Sequence, residues 1–393
     1  MSSKKILWLC GWYPSEILPY NGDFIKRHAE AVSIYEDITI IHVIRDPGGQ
    51  ITKSVHTVTN YLGKLNEIII YYYVPRRKIK FLERVYSAKK YNSIYKAAIR
   101  KYIDENGRPG LVHVHMGMQV ARVVLWLHRI MGIRFLVTEH WSGFLKEAKE
   151  KFFNLPFYLR RPWKNLLQKA KGISTVSKHL AEGLNSYFPE KTVQVIPNVV
   201  NEEVFNSVNV REAGSPVFLH VSGLDDLKNP LTILRAFRNF NHEYPDSILN
   251  IIGSTKKEFI QEVIEMGLHK SVFFYSEMPQ ARLAGYMHQA DALILYSKYE
   301  TFGCVIIEAN ACGTPVIVSD IPVFHETVAD GENGVFAGVG NADLLAKKMK
   351  WVIEHKSHFD KAGISQKAIS KYSYAVIGKQ FSDWYNDILL NQS

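Results

Sequence analysis

Two glutamates with seven residues between them, Glu300 and Glu308, stand in the stretch YETFGCVIIEANACGTPVIVSD over residues 299–320. Carboxylates accept hydrogen bonds, and the paired hydroxyls of a sugar are matching donors. The strand-like run ADALILYS ends near Ser297, so Glu300 falls at the carboxyl end of a strand. The spacing predicts a helix from Thr301, with Thr301 as N-cap and Phe302, Gly303 and Cys304 in the first turn. Amides of a first turn lack helical acceptors and favour an anion such as a phosphate. Gly303 lets a ligand approach the backbone closely. Glu308, five residues beyond Gly303, lies roughly 7.5 Å further along the helix axis. A carboxylate on each side of a phosphate site suits a ligand built as sugar, diphosphate, sugar. A solvated Glu300 and a Glu308 that caps or pairs locally fit the same spacing.

The elements that must position these groups follow from periodicity. Short apolar runs alternate with longer mixed stretches. Strand candidates in the first half are 5–10, 38–44, 68–74, 111–116, 134–140, 172–177 and 192–198, with helical patterns such as 22–35 and 85–106 between them. The second half repeats the style with PVFLHVSG, SILNIIG, SVFFYS, DALILYS and TPVIVSD. A polar, strand-poor segment at 200–216 reads as a hinge, and 373–390 as a final amphipathic helix. Alternating strands and helices predict two doubly wound, Rossmann-like α/β domains with parallel sheets. Ligands on such sheets bind beyond the carboxyl ends of the strands, and the cleft between two facing domains is the natural site.

Composition narrows the class. The chain has 393 residues, 47% hydrophobic and 22% charged, as in a folded globular protein. No apolar run approaches the ~20 residues of a membrane helix. The start, MSSKKILWLCGWYP, has lysines and then apolar residues, but the run stops at Pro14 with no small-residue cleavage site, so 6–10 reads as a first buried strand. Three cysteines, Cys10, Cys304 and Cys312, give no disulfide framework and fit a reducing compartment. The net charge is +10, and its basic excess is confined to residues 1–205, which carry +14 against −4 for the remainder. It clusters in RRKIK at 76–80 and in KEAKEK…RRPWK at 146–164, interleaved with aromatics. Such a surface suits an anionic membrane. A solvated face accounts for the same residues, and no nucleic-acid module accompanies them.

The segment ADALILYSKYETFGCVIIEANACGTPVIVSD closely resembles the signature of family-4 retaining glycosyltransferases (glycosyltransferases group 1), which have the GT-B architecture. Glu300, Phe302, Gly303 and Glu308 stand at the hallmark positions. The resemblance extends through WYPSEILPYNGDFIKRHAEA, HVH at 113–115, TEHWSGF at 138–144, VIPNVVN at 195–201 and SGLDDLKNP at 222–230. It implies an acceptor-binding domain over 1–203, a nucleotide-sugar donor domain over 204–374, and a helix at 375–393 returning to the first domain. Glu308 would bind the ribose hydroxyls and Glu300 the hydroxyls of the transferred sugar. The backbone at Thr301, Phe302, Gly303, Cys304 and Val305 would hold sugar hydroxyls and diphosphate, with Gly22 facing the diphosphate. His140 would lie beside the transferred sugar, and Lys228 would clamp the diphosphate.

The sequence departs from the family at two places. The arginine expected five residues before Lys228 is Gly223, in a loop that also carries Asp225 and Asp226. SDIPVFHE at 319–326 replaces a common Gly-Gly pair, although Glu326 matches the family's later acidic position. No D-x-D triplet occurs, which agrees with metal-independent transfer needing no cofactor besides the nucleotide-sugar cosubstrate. His113 and His115 share a strand face and could bind a metal, but no third ligand is evident from the sequence, and a buried strand explains them better. The resemblance thus implies transfer of a sugar from a UDP- or GDP-sugar to a hydroxyl of a glycan or lipid-linked acceptor. Cell-surface polysaccharide or lipopolysaccharide synthesis, in the cytoplasm or on the cytoplasmic face of the membrane, is the implied setting. A degenerate GT-B protein that binds glycans or scaffolds an assembly is the alternative. A nicotinamide oxidoreductase would need GxGxxG after a strand, and none is present.

Overall fold

The computed structural model describes residues 5–76, 78–207 and 214–390. Arg77 of the basic run and 208–213 of the hinge stretch lie outside them. The chain divides into two compact units, one formed by Met1–Asn198 with Tyr374–Ser393 and the other by Val199–Ser373.

The first unit runs β1 (Lys5–Cys10), α1 (Asp23–Ser33), β2 (Asp37–Arg45), β3 (Val55–Leu62), β4 (Leu65–Tyr72), α2 (Lys80–Asn106), β5 (Leu111–His115), α3 (Gly117–Met131), β6 (Phe135–Glu139), α4 (Phe157–Lys169), β7 (Gly172–Thr175), α5 (Lys178–Asn185) and β8 (Val193–Val195). Its sheet has the order β3-β4-β2-β1-β5-β6-β7-β8 and is parallel except for the β3–β4 hairpin. The central strands β1, β5 and β6 are buried almost throughout, as expected of parallel strands covered on both faces. The sequence reading omitted β3, an exposed edge strand whose residues bury no face.

The second unit runs β9 (Val217–Val221), α6 (Pro230–Glu243), β10 (Ile248–Ile252), α7 (Lys257–Glu265), β11 (Val272–Tyr275), α8 (Gln280–Gln289), β12 (Ala292–Leu295), α9 (Cys304–Ala311), β13 (Val316–Ser319), β14 (Gly334–Ala337), α10 (Ala342–Glu354) and α11 (Lys361–Tyr372). Its six strands are all parallel in the order β11-β10-β9-β12-β13-β14. The order reverses between β9 and β12, which makes their carboxyl ends the topological switch point. Strand β14, only four residues long, was also not foreseen.

Helix α12 (Tyr374–Leu390) belongs to the first unit. Its Gly378 lies so close to α1 that a Cβ there would sit 2.1 Å from the Ala31 carbonyl oxygen. Tyr385 donates or accepts at His113 Nδ1, 2.7 Å away, and Arg134 donates to the Ile388 carbonyl at 2.8 Å.

A layer of buried histidines crosses this unit: His28, His42, His113, His115 and His140. Trp8 stacks on His115 at 4.1 Å and meets His113 edge-on. Burial holds every one of these rings neutral, lowering His28 and His42 to about 4 and the other three well below 6.5. Glu139, also buried, is pushed the other way to about 8 by desolvation, despite accepting from Trp163 Nε1 at 2.7 Å and Gly117 N at 3.1 Å.

These shifts set a pH dependence. Between pH 6.5 and about 4 the unfolded chain binds protons on the rings that the folded chain refuses, so stability falls as pH falls. Glu139 opposes this singly: its folded carboxyl keeps a proton that the unfolded one releases at 4.5, so its contribution is lost as pH rises toward 8. Urea denaturation followed from pH 4 to 9 is expected to give maximal stability near neutrality, with the steeper decline on the acid side. A flat profile between pH 4 and 6.5 would show that the rings are not held neutral.

Candidate functional site

In the second unit the loops after β9, β12 and β13 are tied together at the switch point. Asp225 accepts from the amides of Leu227 and Lys228 and so starts a short 3-10 turn, Asp226–Lys228. Asn229, in left-handed backbone at φ 50°, then opens α6 and donates its side-chain amide to the Tyr296 carbonyl at 3.1 Å. The Lys298 amide donates to Leu227 O at 2.8 Å. From the next strand, Ser319 Oγ donates to Ser297 O at 2.6 Å. Ser297 Oγ in turn donates to Glu300 Oε1 at 2.9 Å, and Lys228 Nζ forms an ion pair with the same oxygen. Lys228 and Glu300, 72 positions apart in sequence, are thus direct partners, both largely shielded from solvent.

Thr301 is not the N-cap that the spacing predicts. Helix α9 starts two residues later than expected, at Cys304, with Gly303 as N-cap at φ 88°. That backbone is left-handed and nearly reserved for glycine, so no helix can run through it. A Cβ at Gly303 would also press on Phe324, Ile306 and Leu295 at 3.0–3.2 Å. The first turn is therefore 304–306 and not 302–304. The first amide to return to the helix is Ile306, which donates to Gly303 O at 2.9 Å. Thr301 forms a bend. The Phe302 side chain is buried, edge-on to Tyr372 at 6.0 Å, so only its backbone could meet a ligand.

Glu308 sits one turn beyond Cys304 on the same helix face, with a relative exposure of 4%. Helix α9 is apolar on nearly every side, which explains why it is buried from Ile306 to Ala311. A carboxylate in such a helix is unusual. It also acts on its surroundings: burial first, and then the Glu308 charge, push the Cys312 thiol up to about 12.

Gly223, where an arginine was expected, has nothing among the described residues within 4 Å of a built Cβ. A cation missed by the sequence reading reaches the same loop. Lys256, N-cap of α7 after β10, donates its ammonium to the Leu224 carbonyl at 2.8 Å. The available signal was its position: β10 neighbours β9, so the loop after SILNIIG had to adjoin the loop after PVFLHVSG. Glu326 lies instead on a cavity of about 430 Å³ with Asn310, His358, Lys367 and Tyr372. None of the residues proposed for donor binding lines that cavity.

In the first unit Gly22 is the left-handed N-cap of α1 at φ 74°, packed so that a Cβ would meet Trp12 C at 2.9 Å. His140 directly follows β6, and its ring lies 4.6 Å from Phe24, two residues beyond Gly22. Gly22 and His140 therefore share one neighbourhood.

The structure also revises the histidine pair. Both ring nitrogens of His113 are engaged, by Tyr385 Oη and Thr138 Oγ1 at 2.7 Å each. His115 instead groups with His28 and His140, with ligand atoms within 4.8 Å of one another. Three neutral imidazoles are a donor set suited to a borderline divalent ion. The rings of His115 and His140 lie 5.9 Å apart, 26° from parallel. Burial keeps all three rings neutral, as in the rest of the histidine layer.

Comparison with known proteins agrees with this geometry. Residues 201–375 match the family described as glycosyl transferases group 1, and residues 52–204 match glycosyltransferase family 4. The chain is similar to glycogen synthase of Mycobacterium tuberculosis, 24% identical over 262 residues that cover 64% of this chain and 62% of that protein. In structure it resembles sucrose-phosphate synthase from Thermosynechococcus elongatus, with a TM-score of 0.78 at 19% identity over 98% of this chain and 99% of that one. It also resembles Anabaena Alr3699/HepE in complex with UDP-glucose, with a TM-score of 0.68 at 16% identity over 98% and 99% of the two chains. The chain belongs to the group 1, family-4 glycosyltransferases and has the GT-B fold.

Proposed function

We infer that the protein moves a sugar from a nucleotide-diphospho-sugar to a hydroxyl of a glycan or lipid-linked acceptor, with retention of configuration, in cell-surface polysaccharide or lipopolysaccharide synthesis. The observation that carries this reading is the Lys228–Glu300 pair at the switch point, next to the start of α9. The UDP-glucose complex of Alr3699/HepE supports trying a UDP-sugar first.

The residues divide the work by chemistry. The diphosphate takes the amides at the start of α9, where the helix dipole favours negative charge. Charge grows on the leaving diphosphate as the glycosidic bond breaks, and the Lys228 ammonium stabilises it. Lys256 supplies a second positive charge beside Gly223. Both hydrogen bonds to Glu300 fall on Oε1, which leaves Oε2 to a sugar hydroxyl. Glu308, one turn into the helix, takes the ribose hydroxyls. His140 stays neutral because burial lowers its pKa, so it serves as a hydrogen-bonding group to the transferred sugar and not as an acid.

The basic excess of residues 1–205 supports docking on the anionic cytoplasmic face of a membrane. Among the described residues no helix is long and apolar enough to cross one.

Release of nucleotide diphosphate from the donor measures these roles. Lys228→Ala is expected to lower kcat about 100-fold or more, the scale of removing one group that stabilises transition-state charge. Glu308→Ala is expected to raise the donor KM about ten-fold or more with a smaller change in kcat, the mark of lost binding shared by ground and transition states. Donor kinetics unchanged by Glu308→Ala would remove the ribose role. Lys256→Ala is expected to weaken donor binding while Lys256→Arg retains it. Equal binding by all three proteins would leave Gly223 without a substitute cation.

A further inference from the structure

The first unit contains a cavity of about 1090 Å³ that none of the roles above uses. It lies against one side of α2, between the loop after β1 and the start of α4, and its size is at the upper end of small-molecule sites. Three kinds of side chain line it.

Apolar groups form the α2–α4 side: Phe81, Val85, Ala88, Tyr158, Leu159 and Pro162. Several of them face water. Phe81 is 71% exposed and Tyr158 57%, with Ile79, Leu82 and Phe157 exposed beside them in the same two segments. Large apolar side chains left in water next to a cavity mark a surface that something apolar covers.

Cations form the α2–α3 corner. Lys89 and Arg122 line the cavity and continue into an adjoining recess with Lys96, Asn92 and Ser93. Arg84 and Arg45 line the main cavity too, Arg45 being paired with Glu83 at 2.5 Å. Among the described residues no carboxylate lines either space. An anion therefore meets no like charge on these walls.

Uncharged polar groups form the end nearest Gly11 and Trp12: Asn21, Gln119 and His42. His42 is 98% buried. Its Nδ1 lies 3.0 Å from the Cys10 carbonyl, which can only accept, so Nδ1 carries the proton and Nε2 holds the lone pair. Among the described residues that Nε2 has no hydrogen-bond partner. A buried, unpartnered lone pair beside a cavity favours a ligand that brings a donor, such as a hydroxyl.

We propose that this cavity is the acceptor site and that its ligand is a phosphate-bearing lipid that carries the accepting hydroxyl. The chain lies along Phe81, Val85, Leu159 and Pro162, the phosphate or diphosphate meets Lys89, Lys96 and Arg122, and the hydroxyl-bearing end points toward His42, Asn21 and Gln119. A free neutral glycan would leave the apolar wall and the cations unused, and an uncharged lipid would leave the cations unpaired. The inference rests on the glycosyltransferase reading for the word acceptor, but the binding site stands on the cavity itself.

Trp12 on the wall provides the readout. Binding of farnesyl diphosphate, lysophosphatidic acid, farnesol and inorganic pyrophosphate is followed by tryptophan fluorescence and by calorimetry on the full chain. At least one of the two amphiphiles is expected to bind about ten-fold or more tighter than farnesol and pyrophosphate, and the tighter one identifies an isoprenoid or an acyl carrier. The double variant Lys89→Glu, Arg122→Glu should lose about ten-fold or more in that affinity, while Lys89→Arg, Arg122→Lys stays within about three-fold. Urea denaturation of each variant verifies folding, and Phe81→Ser, at an exposed position, supplies a second variant that should weaken the amphiphile without affecting pyrophosphate. Farnesol or pyrophosphate binding as tightly as the amphiphiles, or charge reversal without effect in a folded variant, overturns the proposal. Amphiphile binding without any nucleotide-sugar turnover keeps the site and removes the transferase reading. Glu308-dependent donor cleavage without amphiphile binding does the reverse.

Discussion

Lys228 and Glu300 hold the second unit's site together, because each lies on a loop that the other strand's loop must accommodate. The pair forms across the gap where the sheet order reverses, between β9 and β12. A parallel sheet leaves its loops at the carboxyl ends without ladder partners, so their backbone groups must be satisfied by one another. Here Asn229 closes onto Tyr296, Lys298 onto Leu227 and Ser319 onto Ser297. The carboxylate and the ammonium are thus placed by hydrogen bonds that belong to the fold. Such bonds position charged groups before a ligand arrives, which is the arrangement that makes electrostatic stabilisation effective.

The first unit is organised around a different constraint. It buries histidine where most sheets bury aliphatic side chains, and it keeps those rings neutral by excluding water. A neutral ring has one nitrogen that can only accept, and where the other donates to a carbonyl the orientation of the lone pair is set. His28 lies 3.0 Å from the Pro197 carbonyl and His42 3.0 Å from that of Cys10, which fixes both tautomers. His28 on α1 and His42 on β2 thus hold oriented lone pairs in an otherwise apolar interior. Hydrogen-bond acceptors that are fixed and dry discriminate between ligands by whether they bring donors.

The central strands were readable in the sequence, and Glu300, Gly303 and Glu308 stood out, because each rests on a strong local signal. Buried parallel strands are continuous apolar runs, and KILWLC and DALILYS could hardly be anything else. Glu300, Gly303 and Glu308 were legible through a motif. What escaped was decided by tertiary context. Strand β3, VHTVTNYL, lies at an edge with neither face covered, so it carries no burial pattern to detect. The helix start was misplaced because threonine is a good N-cap in general, whereas here the left-handed Gly303 overrides that preference. His115 could be paired with His113 along the strand, but its true neighbours His28 and His140 come from α1 and from the end of β6. Periodicity along one element cannot report a cluster that spans three.

Lys256 illustrates the same limit with a functional consequence. Read along the chain, the loop after β9 loses a cation at Gly223 and gains two aspartates, which weakens it as a phosphate site. Asp225, however, spends its Oδ1 on the amides of Leu227 and Lys228, where it shapes the turn that presents Lys228. A positive charge reaches the same loop from the adjacent strand, on a lysine anchored to Leu224 O. Charge at a site of this kind is a property of the strand order and not of one loop. A substitution that would empty the site in an isolated segment can be compensated by any residue that the sheet brings to the same edge. The arginine position alone is therefore a poor guide to whether this chain retains a working donor site.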